Sequence, residues 1–195
     1  AQVLTISDFC RTDLEHTYRL ATGSVQVLPL VVDAPTPPDP AARAALAGRG
    51  VPSRYLLYLG NLHPRKNVPR AIEAFLDLRR REPELAGYAF VVAGRAWFAG
   101  TAEREAARDA PPGAVIFLDR VDDAEREVLL RDAEALVYPS VFEGFGLPPL
   151  EAMARGTPVL ASDVTAIPEV CRDAALLVDP HDTAALAEGM RRVLL

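Results

Sequence analysis

The chain has 195 residues and a formal net charge of −6, with half of its residues hydrophobic and a quarter charged. This length suits one large domain, or one domain plus a fragment of another. The acidic balance argues against non-specific nucleic-acid binding, which needs a basic surface. No apolar run approaches the roughly 18 residues of a membrane span, no signal peptide is recognisable, and Cys10 and Cys171 fit no disulfide or metal spacing. We therefore expect a cytoplasmic protein.

Residues 1–33 are predicted to form a small separate unit. A strand at 3–6 leads into a helix at about 8–19, with Ser7 as its N-cap, and a short strand follows at 25–28. The next stretch holds Pro35, Pro37, Pro38 and Pro40, which excludes a helix interior or a central strand. We therefore interpret residues 34–53 as a connector with a short helix. Because both chain ends look cut, residues 1–33 are interpreted as the remnant of a preceding domain.

From residue 54 onward, strand-like and helix-like segments alternate. The helical patterns cover about 68–81, 101–109, 122–131, 147–155 and the chain from 183. Six apolar runs of strand length lie at 55–59, 90–93, 115–118, 135–138, 158–161 and 175–178. These runs do not alternate with polar residues, which indicates a sheet covered on both faces. The pattern predicts an α/β fold with a Rossmann-like, doubly wound parallel sheet of six strands, whose ligands bind beyond the carboxyl ends of the strands.

The first segment with chemical potential is residues 60–67, Gly-Asn-Leu-His-Pro-Arg-Lys-Asn, between the first core strand and its helix. A glycine followed by a helix N-terminus offers backbone N–H groups to an anion. Arg65 and Lys66 add a local positive charge in an acidic protein. A solvated loop explains these two residues equally well. The segment matches neither a phosphate-binding P-loop nor the dinucleotide fingerprint, which disfavours ATPases and dehydrogenases.

The second segment is residues 143–151, Glu-Gly-Phe-Gly-Leu-Pro-Pro-Leu-Glu. Its glycines allow a close approach of the backbone to a ligand, and its prolines suit the first turn of a helix. Glu143 on the loop and Glu151 one turn into the helix could face one pocket and accept hydrogen bonds from hydroxyl groups. On the residues alone, a solvated loop glutamate and an ordinary first-turn glutamate are the preferred interpretation.

Residues 143–151 resemble the EX7E motif of the GT-B-fold "glycosyl transferase group 1" enzymes, the retaining family 4. Further matches follow in chain order at residues 58–60, 65–67, 90–94, 117–121 and 161–170. The resemblance covers residues 54–195 and identifies them as a nucleotide-sugar-binding domain. Residues 5–9 resemble, more weakly, the chain just before the domain crossover of this family.

The resemblance implies a role for each matching position. Arg65 and Lys66 would neutralise the diphosphate of the donor, and Glu143 would hold sugar hydroxyls, as the catalytic set. Glu151 would bind the ribose, and the backbone near Arg120 and Val121 would meet the base. The implied donor-binding residues are Gly60, Asn61, Gly94, Arg120, Val121, Phe145, Gly146, Leu147 and Glu151. No metal and no cofactor are implied, and Trp97 and Phe98 are expected either near the base or in loop packing.

The resemblance also implies the substrates and partners. The donor would be GDP-mannose or a UDP-sugar, and the product would belong to polysaccharide biosynthesis. The acceptor, a glycan or lipid-linked glycan, would be held by an N-terminal domain that this chain lacks. We therefore expect half of a hexosyltransferase, inactive alone, whose full-length form is peripheral to the inner membrane face. A sugar-nucleotide epimerase, a phosphorylase and a non-catalytic nucleotide-sugar-binding module are the alternatives.

Two positions depart from the family pattern. Many members have an arginine directly after the first-strand glycine, where this chain has Asn61. The resemblance implies that Arg65 substitutes for it, because the Pro-Arg-Lys-Asn arrangement occurs in one branch of the family. The crossover segment at 30–33 lacks the usual glycine.

Overall fold

A computed structural model describes residues 2–95 and 101–195, so Trp97 and Phe98 lie outside the described residues. The strands are β1 (Val3–Thr5), β2 (Val25–Val27), β3 (Tyr55–Leu59), β4 (Ala89–Ala93), β5 (Val115–Asp119), β6 (Ala135–Tyr138), β7 (Val159–Ser162) and β8 (Leu176–Val178). The helices are α1 (Asp8–Thr17), α2 (Pro40–Gly48), α3 (Val68–Arg81), α4 (Thr101–Ala106), α5 (Asp123–Asp132), α6 (Leu147–Ala154), α7 (Ile167–Cys171) and α8 (Thr183–Leu194).

Six strands form the main sheet, in the order β5-β4-β3-β6-β7-β8, and every neighbouring pair is parallel. β3, β4, β6 and β7 are buried along their whole length. Because both faces of these strands are covered, their side chains are apolar without alternation. The predicted Rossmann-like, doubly wound parallel sheet is therefore confirmed.

The helices form two packed groups. α3 contacts α4 and α8, whereas α5 contacts α2 and α6. On α3, Ala71, Ile72, Phe75 and Leu78 recur at helical spacing and are all buried, as expected for one apolar stripe facing a sheet. Burying these side chains supplies the main favourable free energy of the layer.

Two glycines end the central strands. Gly60 follows β3 and Gly94 follows β4, with φ angles of 151° and 152°. A Cβ atom on Gly94 would lie 1.7 Å from the carbonyl oxygen of Gly60. The ends of these two strands therefore approach each other so closely that any side chain at residue 94 would displace them.

The N-terminal unit, residues 2–33, consists of a two-stranded parallel sheet of β1 and β2 joined by α1. Ser7 caps α1 as predicted, because its side chain accepts a hydrogen bond from the backbone N–H of Cys10. α1 ends at Thr17 rather than at 19, since Arg19 adopts a positive φ of 52°.

The predicted connector contains one regular element. Asp39 accepts a hydrogen bond from the N–H of Ala41 and caps α2, which begins at Pro40. Ala42 and Leu46 of α2 are buried and join the core of the main sheet. This short helix is therefore part of the packed domain, while residues 28–39 have no regular structure.

Candidate functional site

The side chains of Arg65, Lys66 and Glu143 form one ion cluster beyond the carboxyl ends of β3 and β6. Lys66 Nζ lies 2.5 Å from Glu143 Oε1, and Arg65 Nη1 lies 2.8 Å from Glu143 Oε2. The Tyr138 hydroxyl accepts a hydrogen bond from Lys66 Nζ at 2.7 Å and donates one to Glu143 Oε1 at 3.0 Å. The three residues predicted as the catalytic set are therefore in direct contact.

Burial differs among the three. The Lys66 and Glu143 side chains are each 8% exposed, whereas the Arg65 side chain is 37% exposed. The solvated-loop interpretation of Lys66 and Glu143 is therefore wrong. Two cations share one carboxylate, which leaves a local excess of one positive charge.

Local backbone geometry holds the cluster in place. After β3, residues Pro64–Lys66 form a 3₁₀ turn, and Asn67 adopts a left-handed conformation with φ of 57°. The Asn67 side-chain amide donates to the carbonyl oxygens of Pro139 and Pro180, at 3.2 and 2.7 Å. The N–H of Val141 donates to the Arg65 carbonyl at 2.8 Å. The cationic loop is thus bonded to the segment that leads into Glu143.

Two pKa values follow from this environment. Burial lowers the pKa of Lys66, although the hydrogen bond and the charge of Glu143 oppose that shift. Burial alone would raise the pKa of Glu143, but hydrogen bonds and charge from Lys66, together with a hydrogen bond from Arg65, hold it below its usual value. Glu143 is therefore an anion at neutral pH.

A second feature at the same edge of the sheet is a pocket of about 410 Å³, called here the strand-end pocket. Its lining includes six of the nine predicted donor-binding residues: Gly60, Gly94, Arg120, Val121, Leu147 and Glu151. It lies where parallel α/β sheets bind ligands, beyond the carboxyl ends of their strands. The fold thus brings together predicted residues that are up to 91 positions apart in the chain.

The two glutamates of the motif face different surroundings. Glu151 lines the strand-end pocket, whereas Glu143 is not among the described residues that do. A tight turn at Gly146 joins them. Gly146 has a φ of 117°, and a Cβ atom there would lie 2.7 Å from Ile167 Cδ1. Glu151 therefore lines the strand-end pocket and Glu143 belongs to the ion cluster, and that both face one bound donor stays a prediction.

Three predicted donor-binding residues, Asn61, Phe145 and Gly146, are absent from the described lining of the pocket. The Asn61 carbonyl accepts a hydrogen bond from the Tyr58 hydroxyl at 2.8 Å. Phe145 is 8% exposed, and Gly146 is the N-cap of α6. Asn61 directly follows the lining residue Gly60, and Phe145 and Gly146 directly precede the lining residue Leu147, so their donor-binding roles stay predictions.

Arg95 and Arg126, which no sequence motif indicated, also line the pocket, together with Asp119 from the matched segment 117–121. Arg126 forms an ion pair with Glu151. The helical pattern places Arg126 in the first turn of α5. It does not show that Arg126 faces α6, so no sequence signal indicated Arg126 as a site residue. With Arg95 and Arg120, Arg126 is one of three arginines that line the pocket, and its charge is paired with that of Glu151.

Within residues 2–95 and 101–195, no group of three or more His, Cys, Asp or Glu side chains is arranged to hold a metal ion. No described helix has the length and apolarity that crossing a membrane requires.

Comparison with known proteins now decides the family. The family model described as "Glycosyl transferases group 1" matches residues 48–195, about three quarters of the chain. The chain belongs to the glycosyl transferases group 1 family. The resemblance found in the sequence is therefore confirmed.

Individual members of the group 1 family agree with this assignment. O-antigen chain mannosyltransferase B of Escherichia coli is 34% identical over 95% of this chain and 49% of its own length. O-antigen chain mannosyltransferase RfbU of Salmonella typhimurium is 29% identical over 98% of this chain and 50% of its own length. The chain therefore spans about half the length of these curated relatives.

A solved structure supports the fold independently. A glycosyltransferase from Rickettsia africae matches with a TM-score of 0.85 at 17% identity, over 99% of this chain and 53% of that one. The architecture is thus that of a GT-B glycosyltransferase half, as the resemblance implied.

Proposed function

We propose that this chain binds a nucleoside-diphosphate sugar as the donor-binding half of a retaining hexosyltransferase. The proposal rests on one observation: the strand-end pocket and a cluster with one excess positive charge both lie beyond the carboxyl ends of the central strands. A pocket suits the nucleoside, and the charge suits the diphosphate.

The ion cluster would stabilise the leaving group. As the sugar departs, negative charge builds on the diphosphate, and cations already fixed beside it lower the barrier without reorganising. Arg65 is the more exposed cation and can form paired hydrogen bonds with a phosphate. Lys66 is buried and bonded to Glu143, so it acts through its charge and by holding Glu143. Glu143 would in turn accept hydrogen bonds from sugar hydroxyls.

The strand-end pocket would bind the nucleoside. Glu151 is partly buried in its wall and offers a carboxylate to the ribose hydroxyls. The backbone of Arg120 and Val121 would contact the base. The proposal includes no metal and no cofactor, and the excess positive charge of the cluster would offset part of the charge of the diphosphate.

The sugar is proposed from the relatives. The relatives that are mannosyltransferases favour GDP-mannose as the donor, with UDP-sugars as the second choice. A glycan or lipid-linked glycan would be the acceptor, held by a part of the protein beyond these 195 residues. We also propose a cytoplasmic location, with the full-length protein peripheral to the inner membrane face.

Calorimetric titration of the 195-residue chain with GDP-mannose, UDP-glucose, GDP and UDP tests the proposal. We expect heat of binding with one nucleotide class and no turnover. Lys66→Ala should weaken binding by about tenfold or more, because it removes one diphosphate cation and leaves Glu143 less compensated. The matched control is Arg81→Ala, which removes an exposed cation paired with Asp77 on α3.

A second readout needs no mutation. Lys66 is the single lysine of the chain, so labelling with ¹⁵N-lysine gives one backbone amide signal, at the cationic loop. That signal should shift on addition of GDP or GDP-mannose. An unmoved Lys66 signal together with no heat for any of the four ligands would contradict the proposed function.

A further inference from the structure

One carbonyl group in the motif loop is held from outside the main domain. The Gly144 carbonyl oxygen accepts a hydrogen bond from Ser7 Oγ at 2.7 Å and a second from Cys10 Sγ at 3.3 Å. Both donors belong to the N-terminal unit, more than 130 residues earlier in the chain. Ser7 is fully buried, so its hydroxyl is committed to this contact and to the cap of α1.

Further contacts fix the same end of α1 against the main domain. The Glu169 carboxylate accepts hydrogen bonds from the backbone N–H groups of Asp8 and Phe9, at 2.9 and 2.8 Å. The ring of Phe9 packs edge-on against that of Phe142, with centroids 5.7 Å apart. The start of α1 is therefore docked on both α7 and the loop that precedes α6.

The docked carbonyl determines the direction of the next amide. The Gly144 carbonyl and the Phe145 N–H belong to one planar trans peptide, in which the two groups point in opposite directions. Two donors on the α1 side therefore fix the Phe145 N–H on the side away from α1. Without these hydrogen bonds, the peptide group between Gly144 and Phe145 could rotate more freely, because Gly144 lacks a side chain.

We propose that Ser7 and Cys10 are positioning residues for the sugar end of the donor site. They act through the Gly144 carbonyl and orient the Phe145 amide toward the hydroxyl groups of the transferred sugar. The inference rests on the proposed function, and it assigns to the N-terminal unit a role in reading the sugar rather than the nucleotide.

The test is the ratio of two dissociation constants, measured by calorimetry on the 195-residue chain. The first constant is for the nucleotide sugar that the wild-type chain prefers, GDP-mannose or UDP-glucose. The second is for the corresponding nucleoside diphosphate, GDP or UDP. In Ser7→Ala and Cys10→Ala, the affinity for the nucleotide sugar should fall by about 3- to 10-fold, the loss of one neutral hydrogen bond. The affinity for the nucleoside diphosphate should stay within about twofold of wild type.

Three controls separate positioning from loss of structure. Asp39→Ala removes a helix N-cap remote from the site, and should change neither constant. Thr12→Val removes a hydroxyl of α1 that bonds only within its own helix, at 3.0 Å to the Asp8 carbonyl. Cys10→Ser keeps a donor and should restore most of the sugar affinity. Cys10→Ala leaves the Ser7 cap intact, so it remains informative if Ser7→Ala unfolds.

The outcomes differ for the two proposals. If the wild-type chain binds neither ligand, the proposed function itself fails. If it binds both and the ratio is unchanged in Ser7→Ala and Cys10→Ala, the positioning role is overturned. An equal loss of both affinities overturns it as well, because that pattern marks a structural effect on the whole domain.

Discussion

Lys66 and Glu143 are charged side chains buried in the protein interior, where an ionised group is destabilising unless it is paired. Moving an ion pair out of water carries a desolvation cost that its mutual attraction only partly repays. The cluster reduces this cost with the Tyr138 hydroxyl, which bonds to both ions. It also keeps Arg65 partly in water. Such an arrangement makes sense for function rather than for stability, since removing one partner leaves a buried charge without compensation.

Replacement of Glu143 by Gln tests this cost. The pKa of Glu143 lies below its unfolded value of 4.5, so the ionised carboxylate stabilises the fold above pH 4.5. That contribution is lost as the pH falls through the folded pKa. Glu143→Gln should therefore reduce the free energy of unfolding by about 3 kcal/mol at pH 7, and by progressively less below pH 4.5. Urea unfolding at pH 7 and at pH 3.5 measures the difference.

The matched control for this substitution is Glu188→Gln. Glu188 also has a lowered pKa, through its hydrogen bond with Arg191, but it is exposed on α8. Exposed pairs contribute little, so this variant should be close to wild type at both pH values. A loss in Glu143→Gln that is the same at pH 7 and pH 3.5 would show that packing, not charge, is responsible.

The positions of the site residues could be predicted from the sequence, but their contacts could not. Gly60 and Tyr138 end strand-like runs, so Arg65 and Glu143 were expected at one edge of a sheet. Their contact depends on β3 lying directly beside β6, and strand order is not encoded in local periodicity. The ion pair between Arg126 and Glu151 depends likewise on α5 packing against α6.

At the scale of elements, α8 packs unusually close to β7. A Cβ atom on Gly189 of α8 would lie 2.6 Å from Leu160 Cδ1, and Leu160 is fully buried. In an exposed helix, replacing glycine by alanine is favourable by about 1 kcal/mol. Here the added methyl group overpacks a dense interior, which costs about 1–3 kcal/mol.

Gly189→Ala should therefore destabilise the fold by about 1 kcal/mol, despite its better helix propensity. Gly48→Ala is the matched control, because Gly48 ends α2 and a Cβ atom there would meet nothing within 4 Å. This variant should gain about 0.5 kcal/mol. Urea unfolding at neutral pH measures both. Stabilisation by Gly189→Ala would mean that α8 shifts outward at little cost.

The long elements could be predicted more accurately than the short ones. The spacing of apolar residues predicted the bounds of α3, Val68–Arg81, because its fourteen residues form about four helical turns. α7 has only five residues, too few for a helical pattern to emerge. It forms because the segment after β7 packs against α6, and that tertiary contact has no local signal.

At the scale of the whole molecule, the N-terminal unit depends on the main domain. Its strands β1 and β2 have three residues each, and its helix α1 has no buried residue. A two-stranded sheet of this size has too little apolar burial to be stable in water by itself. The contacts at the start of α1 are therefore the main attachment of the unit in the described structure.

Glu169 carries two of these contacts, and its replacement should release the unit without unfolding the main sheet. Glu169→Ala removes two charge-assisted hydrogen bonds from the first turn of α1, a loss of about 2 kcal/mol in local stability. Amide hydrogen exchange in α1 should then accelerate by roughly 30-fold, while exchange in β3, β4 and β6 stays unchanged. Glu73→Ala, which alters an exposed glutamate of α3, should leave α1 unaffected. Unchanged exchange in α1 of Glu169→Ala would show that Ser7 and the Phe9–Phe142 contact suffice to hold the unit.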